Sequence, residues 1–78
     1  MKNKLGELNI LDKDEGHKKY EWSLGKSLEI KKVRKIFDEK VRAGWMAYRI
    51  TGPHAGEIIR QFDENAEAII MRPPQAGG

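Results

Sequence analysis

The sequence has no cysteine. Disulfide staples, thiolate metal sites and a cysteine nucleophile are therefore excluded. It has two histidines, His17 and His54, and neither stands in a His-x-x-x-His or His-Glu-x-x-His spacing. No zinc ligand set follows from them, and both read as surface residues among polar or loop neighbours. Long hydrophobic runs are also missing, since a bilayer-spanning helix needs about 20 apolar residues in succession. The opening Met1-Lys2-Asn3-Lys4-Leu5-Gly6-Glu7 has no apolar h-region, so a secretory signal is not expected. No membrane partner and a cytoplasmic location are the resulting expectations.

Catalytic motifs are lacking too. Ser23 and Ser27 have no Gly-x-Ser-x-Gly elbow around them. The loop Thr51-Gly52-Pro53-His54-Ala55-Gly56 lacks the Gly-Lys-Ser/Thr that completes a phosphate loop. Asp12, Asp14 and Glu15 cluster without the spacing of a calcium loop and read as a solvated turn. The sequence therefore predicts a protein with no catalytic residue, no metal and no cofactor of its own.

What is present is enough for one small core. Seventy-eight residues, 38% of them hydrophobic, make a single domain and leave no room for a second. Lys and Arg exceed Asp and Glu by 15 to 12, giving a net charge of +3. That balance is a mixed, soluble surface, and it permits nucleic-acid contact without requiring it.

Periodicity assigns the elements. Leu5 to Leu11 alternates with Leu8 and Ile10 on one face, a strand. Asp12 to Gly16 is a turn. In His17 to Leu24, Tyr20, Trp22 and Leu24 share one face and Lys19, Glu21 and Ser23 the other, the pattern of a half-buried strand. Ser27 is a suitable N-cap for a helix over Leu28 to Ala43, with Glu29 in its first turn and Gly44 at the left-handed C-terminal position. Ile30, Val33, Ile36, Phe37 and Val41 form its apolar stripe. Met46, Tyr48 and Ile50 then alternate with Ala47, Arg49 and Thr51, a strand whose Tyr48 is expected in the core with Tyr20 and Trp22. Glu57 to Phe62 and Glu67 to Met71 are two further strands joined by a turn at Asp63 to Ala66. The order ββαβββ predicts a two-layer α+β domain, a mixed sheet of four to five strands packed on one helix. Residues 1–72 are expected to form it, with 73–78 as a flexible tail.

Two features remain for function. One helix carries Lys31, Lys32, Arg34, Lys35, Lys40 and Arg42, interrupted by Glu29, Asp38 and Glu39. With no aromatic interleaved, there is no stacking platform, so a solvated helix back is the plain reading and nucleic acid is not an expected partner. The other is Arg72-Pro73-Pro74-Gln75-Ala76-Gly77-Gly78, which has no periodic apolar residue. The proline pair holds its base extended. Glycine without a Cβ makes its tip slim enough for a narrow enzyme channel.

The run Ile69-Ile70-Met71-Arg72-Pro73-Pro74-Gln75-Ala76-Gly77-Gly78, preceded by the acidic turn Asp63-Glu64-Asn65-Ala66-Glu67, resembles the C-terminus of ubiquitin-like β-grasp proteins. Closest in kind are the sulfur-carrier small subunit of molybdopterin synthase and the small archaeal modifiers. The middle, Phe37 to Tyr48, is more similar to short uncharacterised prokaryotic and phage proteins. The resemblance implies a β-grasp fold and adenylation at Gly78, with Gly77 passing into the activating site and Arg72, Pro73, Pro74, Gln75 and Ala76 as the recognised tail. It implies an ATP-using adenylating enzyme as partner and, as second partner, either a target protein or a sulfur-acceptor enzyme. The chain itself is expected to be a monomer. The alternatives carried by the residues alone are a small protein-binding domain and a basic nucleic-acid binder using Lys31, Lys32, Arg34, Lys35 and Arg42.

Overall fold

Alternation of apolar residues builds the first two strands, β1 (Leu5–Ile10) and β2 (Lys18–Ser23), which pair antiparallel with Leu8 opposite Tyr20 and Gly6 opposite Trp22. The computed structural model describes residues 5–53 and 55–74. The turn between these strands is held by Asp12, whose Oδ1 accepts the N–H groups of Asp14 at 2.9 Å and Glu15 at 3.2 Å. Those two bonds hold its carboxyl below the usual carboxylate range. The chain continues through α1 (Ser27–Arg42), β3 (Met46–Gly52), β4 (Ala55–Ile59) and β5 (Ala68–Arg72). One helix thus packs on a five-stranded mixed sheet of order β2-β1-β5-β3-β4. The central pair, β1 and β5, is parallel, and the other pairings are antiparallel.

The helix begins one residue earlier than the sequence suggests. Lys26 occupies the N-cap position with no side-chain cap, and Ser27 is already helical. The Glu29 carboxylate explains the shift. Its Oε1 accepts the Ser23 N–H at 2.8 Å, so the first turn is fastened to the end of β2 instead of to a capping serine. The other end follows expectation. Gly44 sits at φ +95°, with Gly44 N–H bonding the Val41 carbonyl and Trp45 N–H the Lys40 carbonyl. This is a Schellman ending, which relieves two carbonyls the helix leaves unpaired.

The core lies between α1 and one face of the sheet. Leu8, Ile10, Trp22, Ile69, Met71 and Ala47 come from the strands, and Ile30, Val33 and Phe37 come from the helix. Burying a side chain of this size contributes about 1.5–3 kcal/mol, whereas an exposed ion pair contributes about 1 kcal/mol or less. The apolar layer therefore carries the fold. Gly6 has a specific place in it, because a Cβ there would fall 2.2 Å from the Trp22 ring. The indole lies against bare backbone.

Two strand assignments shift. β4 starts at Ala55 and ends at Ile59, earlier than the expected Glu57 to Phe62. Gly52 pairs with Ala55, so the connection expected at Thr51 to Gly56 is a tight hairpin. Phe62 leaves the sheet to fill the core, its ring 4.9 Å from Trp22 and 5.7 Å from Phe37, both edge-on. The Trp22 indole N–H also donates to the Glu64 carbonyl at 2.9 Å, which ties the β4–β5 connection over the core. The second correction concerns β3. Its period of two is as read, but its inward residue is Ala47, 1% exposed and opposite Met71. Tyr48, expected in the core, faces the other way. Trp22 is fully buried and Tyr20 is partly buried against the core, as expected.

Candidate functional site

Among the described residues no element covers the face of the sheet away from α1. Reading one row across the registers gives Lys19, Asn9, Ile70, Tyr48 and Ile58. The row is polar at the β2 end and apolar at the β4 end. On the polar side Lys19 Nζ lies 3.2 Å from Glu7 and 3.8 Å from Glu21. These carboxylates, Glu7 first, raise the Lys19 pKa above its ordinary value. On the apolar side Ile58 is 55% and Met46 41% exposed, with Tyr48, Ile50 and Ile70 half-buried beside them. A shallow groove of about 440 Å³ runs here between Tyr48, Ile50, Ile70, Leu11 and Arg72.

Arg49 marks the rim of this half. It lies on the inward side of β3, opposite Ile69 and Glu57, too polar for the core and close enough to the edge to reach out of it. Its guanidinium pairs with Glu57 and, at 2.6 Å, with Asp63. The Asp63 carboxyl also accepts the Asn65 N–H at 2.9 Å. Arg49 first, then the Asn65 amide, hold Asp63 below the usual carboxylate range. This cluster is internally satisfied and fixes the connection before β5. A second hollow of about 410 Å³ beside it is lined by Arg49, Asp63, Asn65 and Glu67.

The sequence-predicted tail begins where this groove ends. Arg72 is the last residue of β5 and stands opposite Met46, so it belongs to the sheet as well as to the tail. Pro73 and Pro74 follow outside the strand. A Cβ on Gly44 would meet the Pro74 ring at 3.4 Å, so the chain leaves past the helix C-terminus. Gln75, Ala76, Gly77 and Gly78 lie outside the described residues.

The basic helix residues divide into groups. Lys31, Lys32 and Lys35 are exposed on the side of α1 away from the core. Arg34 is turned aside, 3.4 Å from Glu64 and with its guanidinium 5.9 Å from the centre of the Phe62 ring. Arg42 is exposed one turn beyond Asp38 and Glu39. The five positions therefore form no continuous basic surface. Lys40 lies over the Trp45 ring at 4.6 Å. His17 is exposed, and His54 lies outside the described residues. Among the described residues no group of three or more His, Asp and Glu could hold a metal, and no helix is long and apolar enough to cross a membrane.

No protein-family model matches the chain, and neither a curated protein nor a solved structure matches it. The bare sheet face was missed by sequence reasoning because Met46, Tyr48 and Ile50 have the alternation of a buried face. The small Ala47 between them was the signal, since an alanine facing a helix allows close packing and sends its larger neighbours outward.

Proposed function

We propose that the chain is a ubiquitin-like β-grasp domain that works as a sulfur carrier or protein modifier through the carboxylate of Gly78. The single observation that carries this is the strand order β2-β1-β5-β3-β4 with β1 and β5 parallel at its centre. One helix on one face of a sheet wound in this order is what the β-grasp reading calls for, and it supports that reading. It also places the last strand in the middle of the sheet, with Pro73 and Pro74 directly after its end. The Gly78 carboxylate is the reacting group either as encoded or after trimming of a longer chain.

A carboxylate is a poor electrophile. Attack of one of its oxygens on the α-phosphorus of ATP, held by an adenylating enzyme, forms an acyl-adenylate and releases pyrophosphate. Hydrosulfide supplied by a sulfur donor then displaces AMP to leave a thiocarboxylate, or the amine of a target lysine displaces AMP to form an amide. This chain contributes positioning. Its apolar groove, which reaches Arg72, is the surface on which the activating or accepting enzyme docks. The residues Arg72 to Ala76 guide the tip, and Gly77 admits it.

The test is intact mass spectrometry of the protein incubated with ATP in lysate of its own host. Replacement of one oxygen by sulfur supports the carrier, and Gly-Gly remnants on target lysines after digestion support the modifier. Removal of Gly77 and Gly78 must abolish either product while the thermal melt is unchanged. A carboxylate that stays unmodified throughout rejects the proposal. The apolar half of the sheet face would then favour the second reading, a protein-binding domain whose partner is captured equally well by the truncated chain.

A further inference from the structure

The solvent side of α1 carries Leu28, which is 82% exposed, at the N-terminal end of a run of exposed lysines. Lys31 and Lys32 follow it by three and four residues and Lys35 by seven, so all three lie on its side of the helix. Lys26 precedes it, and Leu24, 37% exposed, stands in the turn before the helix. Among the described residues none of Lys26, Lys31, Lys32 and Lys35 is in an ion pair, whereas Lys18, Lys19, Arg34 and Arg49 all are. The nearby carboxylates are engaged elsewhere. Glu29 reaches back to the Ser23 N–H, and Glu64 pairs with Arg34. Asp38 and Glu39 lie beyond Lys35, toward the other end of the helix.

We infer that Leu28 and the ring of Lys31, Lys32 and Lys35 form a docking surface for a protein segment with an apolar side chain flanked by carboxylates. Two unfavourable features meet at this spot, a wet leucine and lysines that repel one another at three- and four-residue spacing. An acidic segment with an apolar anchor relieves both at once, because carboxylates neutralise the ring while the anchor covers Leu28. A nucleic acid would relieve only the charge. It would set phosphates against the leucine, and the face offers no aromatic for a base to stack on. A membrane would relieve both, but one leucine on a face otherwise made of lysines gives too little apolar area to hold a domain at a bilayer. The surface lies on α1, apart from the uncovered sheet face, so this inference stands whether or not Gly78 is activated.

The experiment is an amide NMR titration of the full chain with three probes. These are the hexapeptide Glu-Asp-Leu-Leu-Asp-Glu, phosphatidylcholine vesicles containing phosphatidylserine, and a single-stranded DNA oligonucleotide. The hexapeptide is expected to shift the amides around Leu28, Lys31, Lys32 and Lys35, with a Kd of about 0.1–1 mM that weakens with salt. Leu28→Ser should weaken it about fivefold, and Lys31→Glu with Lys32→Glu at least about tenfold. A thermal melt confirms that each variant is folded, as expected for exposed positions. Peptide affinity that Leu28→Ser leaves unchanged overturns the proposal, since charge alone would then explain it. So do vesicle or DNA binding stronger than peptide binding at this face, peptide shifts that map elsewhere, or no shift at about 5 mM peptide.

Discussion

The two faces of the sheet use similar side chains toward different ends. On the face under α1, Leu8, Ile10, Ile69 and Met71 are 2% exposed or less, and Trp22 is closed in by Gly6, Phe62 and the Glu64 carbonyl. On the other face Ile58 and Met46 stand largely in solvent, with Tyr48 and Ile70 half-covered between them. Neighbours on one strand belong to different faces, as Ile69 and Ile70 do on β5. The difference teaches where stability and recognition reside in a domain this small. A single helix can cover one face of five strands, and the other is left for partners or for water. Half of that bare face is made harmless by the Glu7, Lys19 and Glu21 ion pairs, and the other half is not.

This contrast can be broken first on the covered side. Phe37→Ala removes a fully buried ring that touches Phe62, and a loss of about 3–5 kcal/mol is expected in urea unfolding. A loss below about 1 kcal/mol would mean that the helix is not seated as described. Gly6→Ala should be next, costing about 1–3 kcal/mol through the clash with Trp22. In a Trp45→Phe background the emission of Trp22 should shift as the indole is displaced, and unchanged emission would count against its position over Gly6.

The rim between the faces gives a smaller, pH-dependent effect. The unfolded Asp63 titrates near pH 4, and Arg49 lowers its folded value. Its stabilising contribution is therefore complete above about pH 4 and is lost as pH falls through the lowered value. Asp63→Asn should cost about 1 kcal/mol or less at neutral pH. The difference from wild type should shrink toward about pH 2 in acid titrations followed by circular dichroism. A difference that stays constant with pH would show that the carboxylate charge is not what holds Arg49. The smallest effect belongs to the bare face. Ile58→Ser should change stability by no more than about 0.5 kcal/mol. Under the proposed function, the same variant should weaken capture of an adenylating enzyme. If it instead destabilises as Phe37→Ala does, the two faces are not different in the way described.

The elements were largely legible in the sequence because each is marked by local periodicity. The helix stripe of Ile30, Val33 and Phe37 and its Gly44 ending are set by residues within a few positions of one another. Errors arose where a distant residue decided the outcome. Ser27 lost the N-cap position to Lys26, because Glu29 reaches across to β2 and fastens the first turn there. Phe62 left the strand pattern because the space between Trp22 and Phe37 needed a ring. The basic residues of α1 looked like one set in sequence. They divided once Glu64, thirty residues after Arg34, drew that arginine aside.

The sequence by itself determined the α+β class, the order of the elements, the helix and its buried stripe, and the absence of cysteine chemistry. These depend on composition and on contacts between near neighbours. Only the tertiary structure decided which side of β3 faces the helix. Met46, Tyr48 and Ile50 have the same alternation whichever way they point, and it is the register of Ala47 against Met71 that turns them outward. That register also brings Tyr48 beside Ile70 and Ile58, which creates the apolar half of the bare face. A period of two identifies a strand's two sides, but the partner strand chooses between them.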